Sequence, residues 1–365
     1  MNIRERWKCV LNHREPDQVP IQDAPWEATI ERWRQDGLPG DISVSDYFGY
    51  EMAWFWPDVG PQFGCKIVDE SAEYLIQQNQ FGEVVKNHRD RSTTPQIIDS
   101  PIKTKKDWEE IKSRFVACNS RLVTPSDVLN PITFVSLEEA LIDFRREREK
   151  GRFITYGVIS GYDLLQHYLG SERLLIAIAL EPEWIKEMHE TMTRLAIDMH
   201  ELMIQKGFKF DGVFLADDLG YRNGLLFSPE RYKQMFFPAD HMLCNYFRGQ
   251  DMPVILHSDG CVKELIPYFI EAGFSCLQPL EVKAGMDVRE LKREYGDRLS
   301  FMGGIDVRLM GAQDSNLIEE EIKSKFSVVK KGGGYIYHSD HSVPHDVSLK
   351  QYERVVKLVK KYGKY

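Results

Sequence analysis

The sequence predicts an α/β protein, a (β/α)8 barrel that carries an aromatic-rich insertion near its N-terminus. Three observations predict it. From residue 151 onward short apolar segments alternate with amphipathic helical ones, and neighbouring parallel strands need such crossovers. The strand cores are apolar on both faces, the pattern of a sheet covered by helices. Polar and glycine residues follow nearly every strand, as where a site is built across the C-terminal face of a barrel; a doubly wound nucleotide binder would concentrate them after its first strand. Neither G-x-G-x-x-G nor a Walker A motif is present.

The chain opens with a helix over ERWKCVLNH, stopped by Pro16, and residues 19–22 start a strand that Asp23 and Trp26 follow. From about residue 25 to 150 the pattern is less regular and rich in aromatics (Tyr47, Phe48, Tyr50, Trp54, Phe55, Trp56, Phe63). Within it, residues 72–85 read as a hairpin turning around Asn79 to Gly82. This region is either an insertion that covers the site or an aromatic-cored subdomain. All 365 residues are expected to form a single barrel domain around it.

The strand at 154–158 leads to Ser160, Gly161 and Tyr162, and helices follow, one over 182–205. The strand at 212–215 leads to Asp217, Asp218, Gly220 and Tyr221; Ser228 and Pro229 then start a helix as N-cap and N1. The strand at 254–256 leads to His257, Ser258 and Asp259. The helix after it shows Val262, Leu265, Ile266, Phe269 and Ile270 as one apolar stripe, and Cys261, four residues beyond His257, is either a third metal ligand or, the favoured reading, part of the first helical turn. Strands at 275–277, 299–302 and 335–337 lead to Gln278 and Glu281, to Gly303, Gly304 and Asp306, and to His338, Asp340 and His341; a helix over 348–362 closes the chain. That makes seven strands, with the eighth expected within residues 60–135.

The charge of −9 and the lack of a Lys/Arg stripe argue against nucleic acid as a ligand. The basic runs RREREK and KLVKKYGK read as solvated helix faces. No apolar run reaches the about 18 residues that span a bilayer, and MNIRERWKC lacks a signal peptide's apolar core, so a cytoplasmic location is expected. Six scattered cysteines without a CxxC suggest reduced thiols. A homodimer is compatible with the sequence, which does not fix an oligomeric state.

The candidate chemistry sits at the strand ends. His257 and Asp259 are two apart, so an extended strand points both to one side. Imidazole with carboxylate suits zinc; the alternative is a buried polar anchor. His338 and His341 are three apart and could complete a tetrahedral site, or His341 could serve as a general acid or a donor to an anionic substrate. Asp217 and Asp218 point oppositely, so one faces the site while the other caps a neighbouring helix or holds Arg222. Glu281 and Asp306 could equally be N-caps, and Gly303 and Gly304 permit either a ligand's close approach or a tight turn.

RERWKCVLNHREPDQVPI, FLADDLGY with SPERYKQMFFP, ILHSDGCVKELIPYFIEAGFSCLQPLE with AGMDV, YGDRLSFMGGID and GGGYIYHSDHSVPHDVS together resemble the uroporphyrinogen decarboxylase superfamily. The resemblance implies a barrel with a deep cleft at the strand C-termini. True decarboxylases of the family carry the arginine motif MRQAGR after the first strand, where this sequence has QDAPWEA, so it is more similar to the corrinoid-dependent methyltransferase branch. In that branch thiol-methylating members hold zinc through His-x-Cys and later cysteines. Here His257-Ser258-Asp259 stands at the His-x-Cys position, with His338 and His341 near the later cysteines.

The resemblance implies methyl transfer from a small O-methyl (methoxyaromatic, for example) or N-methyl compound to a corrinoid protein, with cobalamin or a related corrinoid on that partner. Zinc is expected at His257, Asp259, Glu281 and His338, with Asp217 and His341 as catalytic groups. Asp23, Trp26, Tyr162, Asp218, Tyr221, Gln278 and Asp306 are the candidate substrate-binding residues. The harder ligands suit polarising an ether or alcohol oxygen better than holding a thiolate. Two other readings stay open: a metal-free lyase acting on a tetrapyrrole or other carboxylated ring, with Asp217 and His341 as its acid–base pair and Arg222 or Arg308 as its cation, and a non-catalytic tetrapyrrole- or corrinoid-binding protein.

Overall fold

A computed structural model describes residues 1–89, 95–122, 124–125 and 134–365. In chain order the strands are β1 (Met52–Phe55), β2 (Lys66–Glu70), β3 (Tyr74–Gln78), β4 (Val84–His88), β5 (Gln96–Asp99), β6 (Thr124–Pro125), β7 (Phe134–Val135), β8 (Phe153–Ile159), β9 (Gly212–Ala216), β10 (Gly220–Tyr221), β11 (Gly224–Leu225), β12 (Val254–His257), β13 (Cys276–Gln278), β14 (Ser300–Met302) and β15 (Tyr335–Ile336). Seven of them form a parallel sheet in the order β1-β8-β9-β12-β13-β14-β15. The sheet curls into a distorted (β/α)8 barrel. Residues 20–22 fill the gap between its edges: Tyr337 donates to Pro20 O at 3.0 Å, Gln22 to Tyr337 O at 3.1 Å, and Glu51 to Ile21 O at 2.9 Å. One ladder position is taken by a side chain, since Met52 N–H donates to Gln22 Oε1 at 3.0 Å.

The strand missing from the sequence pattern is β1, at Met52–Phe55 and not within residues 60–135. Four residues are too few for a period to stand out in an aromatic-rich stretch. Between residues 60 and 135 the described strands β2 to β5 instead make an antiparallel sheet outside the barrel. The expected hairpin is β3–β4, and Asn79 Oδ1 accepts from the N–H groups of Phe81 and Glu83 in its turn. Phe81 stacks on His167 at 4.8 Å, and Glu83 pairs with His167 Nδ1 at 3.0 Å, which lays this sheet against the helix that follows β8.

The N-terminal end of the barrel is closed. Trp7, Met52, Phe153, Ile255, Cys276, Met302 and Ile336 form one buried apolar cluster. Trp7 stacks on Phe153 at 4.9 Å and donates its indole N–H to Glu51 at 3.1 Å, while Arg6 pairs with Glu51 at 2.7 Å. With that end sealed, a cleft can open only where the strands end.

After β12 the helix proper is shorter than its apolar stripe suggests. It covers Ile266–Ala272 behind a 3-10 turn at Lys263–Leu265, because Pro267 lacks an N–H and sits in a first turn. Cys261 therefore lies in the loop before it, where its N–H donates to Tyr221 O at 2.9 Å. Gly303 serves backbone geometry: its φ is +123°, and a Cβ there would lie 1.9 Å from Pro279 O. Among the described residues no helix is long and apolar enough to cross a membrane.

Candidate metal centre

Strand register assembles the site. In the parallel sheet His257 lies opposite Ala216 of β9 and opposite Gln278 of β13. Two residues beyond that level, Asp218 and Asp259 stand side by side on the inner face, and Asp259 N–H donates to Asp218 Oδ1 at 2.8 Å. Glu281 arrives from the loop after β13, accepting from Gly260 N–H at 2.8 Å and pairing with Lys283 at 2.8 Å. Gly260 must be glycine: its φ is +81°, and a Cβ would lie 2.5 Å from the backbone of Gly220 and Tyr221. His341 reaches in after β15.

Two groups of three donor residues result, Asp218–His257–Asp259 and Asp259–Glu281–His341, each with ligand atoms within 4.8 Å of one another. His257 Nε2 is 3.6 Å from Asp218 and 3.9 Å from Asp259, and His341 Nε2 is 3.7 Å from Asp259. These gaps exceed hydrogen-bond lengths. Asp259 Oδ1 is buried without a hydrogen-bond partner, a costly state for a carboxylate oxygen unless a cation faces it. Burial raises the Asp259 pKa, Asp218 and Glu281 add to the rise, and His257 and His341 oppose it. Burial pulls the His257 imidazole down, but Asp259, Asp218 and the contact with Gln278 lift it above its ordinary value. Burial, with Asp218 nearby, pushes the Asp163 carboxyl up to about 6. Three carboxylates and two imidazoles in this arrangement fit a divalent cation that takes oxygen and nitrogen ligands.

Residues 141–362 match the family model for uroporphyrinogen decarboxylase (URO-D). The chain belongs to the uroporphyrinogen decarboxylase family. A solved methyltransferase from Methanosarcina mazei superposes on it with a TM-score of 0.68 at 15% identity, covering 99% of each chain. A Bacteroides thetaiotaomicron protein named as a candidate α-L-fucosidase gives a TM-score of only 0.41 at 9% identity, over 95% of each chain. No curated protein matches by sequence.

In this member of the uroporphyrinogen decarboxylase family the expected site residues divide into four groups. His257, Asp259 and Glu281 meet in the cluster, joined by Asp218 and His341. His338 stands behind them: it is buried, its Nε2 lies 3.4 Å from Gln278 Nε2, and its Nδ1 lies 2.7 Å from Ser339 O. Gln278 links it to His257, whose Nδ1 contacts Gln278 Oε1 at 2.5 Å. Trp26 stands at the rim, its ring 6.0 Å from His341.

The remaining expected residues are engaged elsewhere. Asp217 is buried under the helix Gly161–Leu169 and accepts from Asp163 N–H at 2.9 Å. Asp23 is buried and accepts from the hydroxyls of Tyr337 (3.1 Å), Tyr352 (2.6 Å) and Ser339. Tyr162 is buried, its ring 5.6 Å from Phe227, and burial pushes its hydroxyl up to about 12. Tyr221 is exposed on the β10–β11 hairpin. Asp306 caps the helix Val307–Met310 and pairs with Arg308 at 2.6 Å.

One reading of the sequence had the aromatic-rich region, Trp54 and Trp56 included, cover the site, but Phe214, the ring beside the cluster, was not singled out. The Phe214 ring lies 6.0 Å from His257, and Trp54 and Trp56 each lie 6.1 Å from Phe214. Trp56 has room because a Cβ at Gly157 would fall 2.2 Å from its indole. Phe214 was findable, since it precedes Asp218 by four on the same face. Trp54 was named only as part of that region, because its strand was unrecognised. Lys283, paired with Glu281, gave no pattern at all.

Proposed function

We propose that this protein moves a methyl group from a small O-methyl compound, such as a methoxyaromatic, or from an N-methyl compound to a corrinoid carried by a partner protein. The observation that carries the proposal is the five-donor cluster at the strand ends, walled by Trp54, Phe214 and Trp26. Asp218, His257 and Asp259, or Asp259, Glu281 and His341, would hold the ion, zinc being the one that mixed imidazole and carboxylate donors suit. When bound, it supplies Lewis acidity that draws charge from the leaving atom.

The chain's own groups do the rest. The aromatic rings bind the apolar part of the donor and keep water from it. Lys283 neutralises one Glu281 oxygen, and Gly260 N–H fixes the other. The carbon–oxygen or carbon–nitrogen bond would break with its electron pair on the leaving atom, and a corrinoid in the cobalt(I) state would supply the pair that accepts the methyl group. From the aromatic-rich region Trp26 and Trp54 stand beside the cluster and its wall, and the protein works in the cytoplasm.

The metal-free lyase reading has less support. Asp217 lies under a helix, and Arg308 is already paired with Asp306. Elemental analysis of the purified protein and of His257→Ala tests the proposal. About one zinc per chain, lost in the variant together with methyl transfer to added cobalamin reduced to the cobalt(I) state, is expected. Unchanged zinc and unchanged turnover in the variant sink the assignment.

A further inference from the structure

We infer that Gln278 is a positioning residue: its amide, anchored on His338, holds His257 as the Nδ1–H tautomer and aims the Nε2 lone pair at Asp218 and Asp259. The inference deepens the metal-centre reading and rests on it.

The argument starts from one backbone carbonyl. Ser339 O can only accept, so His338 Nδ1, 2.7 Å away, carries a proton. Its Nε2 faces the amide nitrogen of Gln278, as the acceptor end of a neutral ring would, and burial favours that neutral form. The group facing that nitrogen at 3.4 Å must then be the NH2 end of Gln278. This turns Gln278 Oε1 toward His257 Nδ1. An amide oxygen only accepts, so His257 Nδ1 carries a proton, and in the neutral ring, the form that can bind a metal, Nε2 then keeps its lone pair.

Register makes the chain of contacts possible, because Gln278 is the β13 residue opposite His257. Gln278 and His338 are each 4% exposed, which leaves solvent little access to replace either bond. At 3.6 and 3.9 Å, His257 Nε2 lies close to Asp218 and Asp259 without a hydrogen bond to either, so its lone pair and their oxygens face one shared space. A ligating imidazole is commonly oriented through its other nitrogen in this way, and losing that partner costs metal affinity.

The test uses the full chain in two measurements: nitrogen NMR of the imidazoles without metal, assigned with His257 and His338 variants, and titration with zinc or cobalt(II). In the wild type the neutral His257 ring is expected to carry its proton on Nδ1. Gln278→Leu should give a mixture of tautomers and lower metal affinity by roughly 10- to 100-fold. Gln278→Glu should rescue both, since a carboxylate oxygen still accepts from His257. In that variant His338 should take up a second proton, because its Nε2 no longer faces a donor. If Gln278→Leu fails to fold, His338→Leu carries the test, with the freed amide giving a smaller loss in the same readouts.

A wild-type His257 protonated on Nε2, or a folded Gln278→Leu with unchanged tautomer and affinity, overturns the inference. A wild type that shows the expected tautomer but binds neither ion supports the positioning role and overturns the metal reading, so the two failures are distinguishable.

Discussion

Asp217 accepts a hydrogen bond from the backbone N–H of Asp163 at 2.9 Å, and this contact places its carboxyl beneath the helix that follows β8 while its neighbour Asp218 faces the cleft. Burial, followed by the proximity of Asp240, pushes Asp217 well above the carboxylate range. Asp217→Asn should therefore be close to neutral. Asp217→Ala should cost about 1–3 kcal/mol by leaving a helix N–H unpaired, with metal affinity of the folded protein unchanged. Urea unfolding and zinc titration of both variants check this, and loss of metal binding in folded Asp217→Ala contradicts it.

The cluster predicts a graded response to ligand removal. His257→Ala and Asp259→Asn, which touch the centre of the donor set, should each lower zinc affinity by roughly 100-fold or more. His338→Gln should cost less, because His338 reaches the cluster only through Gln278. Equal losses for His338 and His257 variants would show that the grouping of donors is wrong.

The aromatic wall should matter for the methyl donor and little for stability. Trp54 is 37% exposed and stacks on Phe214 at 27°. Trp54→Ala should raise the KM for an aromatic methyl donor roughly tenfold, about 1.4 kcal/mol, and leave the zinc content alone. Steady-state kinetics beside elemental analysis decide it; an unchanged KM removes Trp54 from the donor site.

Asp240 predicts a pH dependence away from the cleft. It is buried, and although Tyr232 donates to it at 2.7 Å, burial raises its pKa to about 7. The folded state thus holds a proton that the unfolded chain releases in the ordinary carboxylate range. The associated stability is full below that range and is lost as pH rises through about 7. Its size is on the order of a few kcal/mol. Asp240→Asn should remove this fall, seen as a smaller change in urea midpoint between pH 5 and roughly 8 than in the wild type. Parallel profiles for the two proteins would rule it out.

Much of the barrel was legible because its information is local. Alternation of apolar segments marked six of the seven sheet strands, and the period of two put His257 with Asp259 and separated Asp217 from Asp218. β1 was hidden by its brevity, and the Cys261 position by the proline that delays the helix.

What the sequence by itself determined was the class of fold and the edge of the sheet where polar groups gather, since both follow from periodicities within single segments. Tertiary structure decided which of those groups meet. His338 and His341 are three apart at the end of one strand, yet His341 joins Asp259 and Glu281 while His338 is held behind Gln278. That choice depends on the register of β12 against β13 and on loop paths beyond the strand ends, where no backbone period carries a side chain's direction forward.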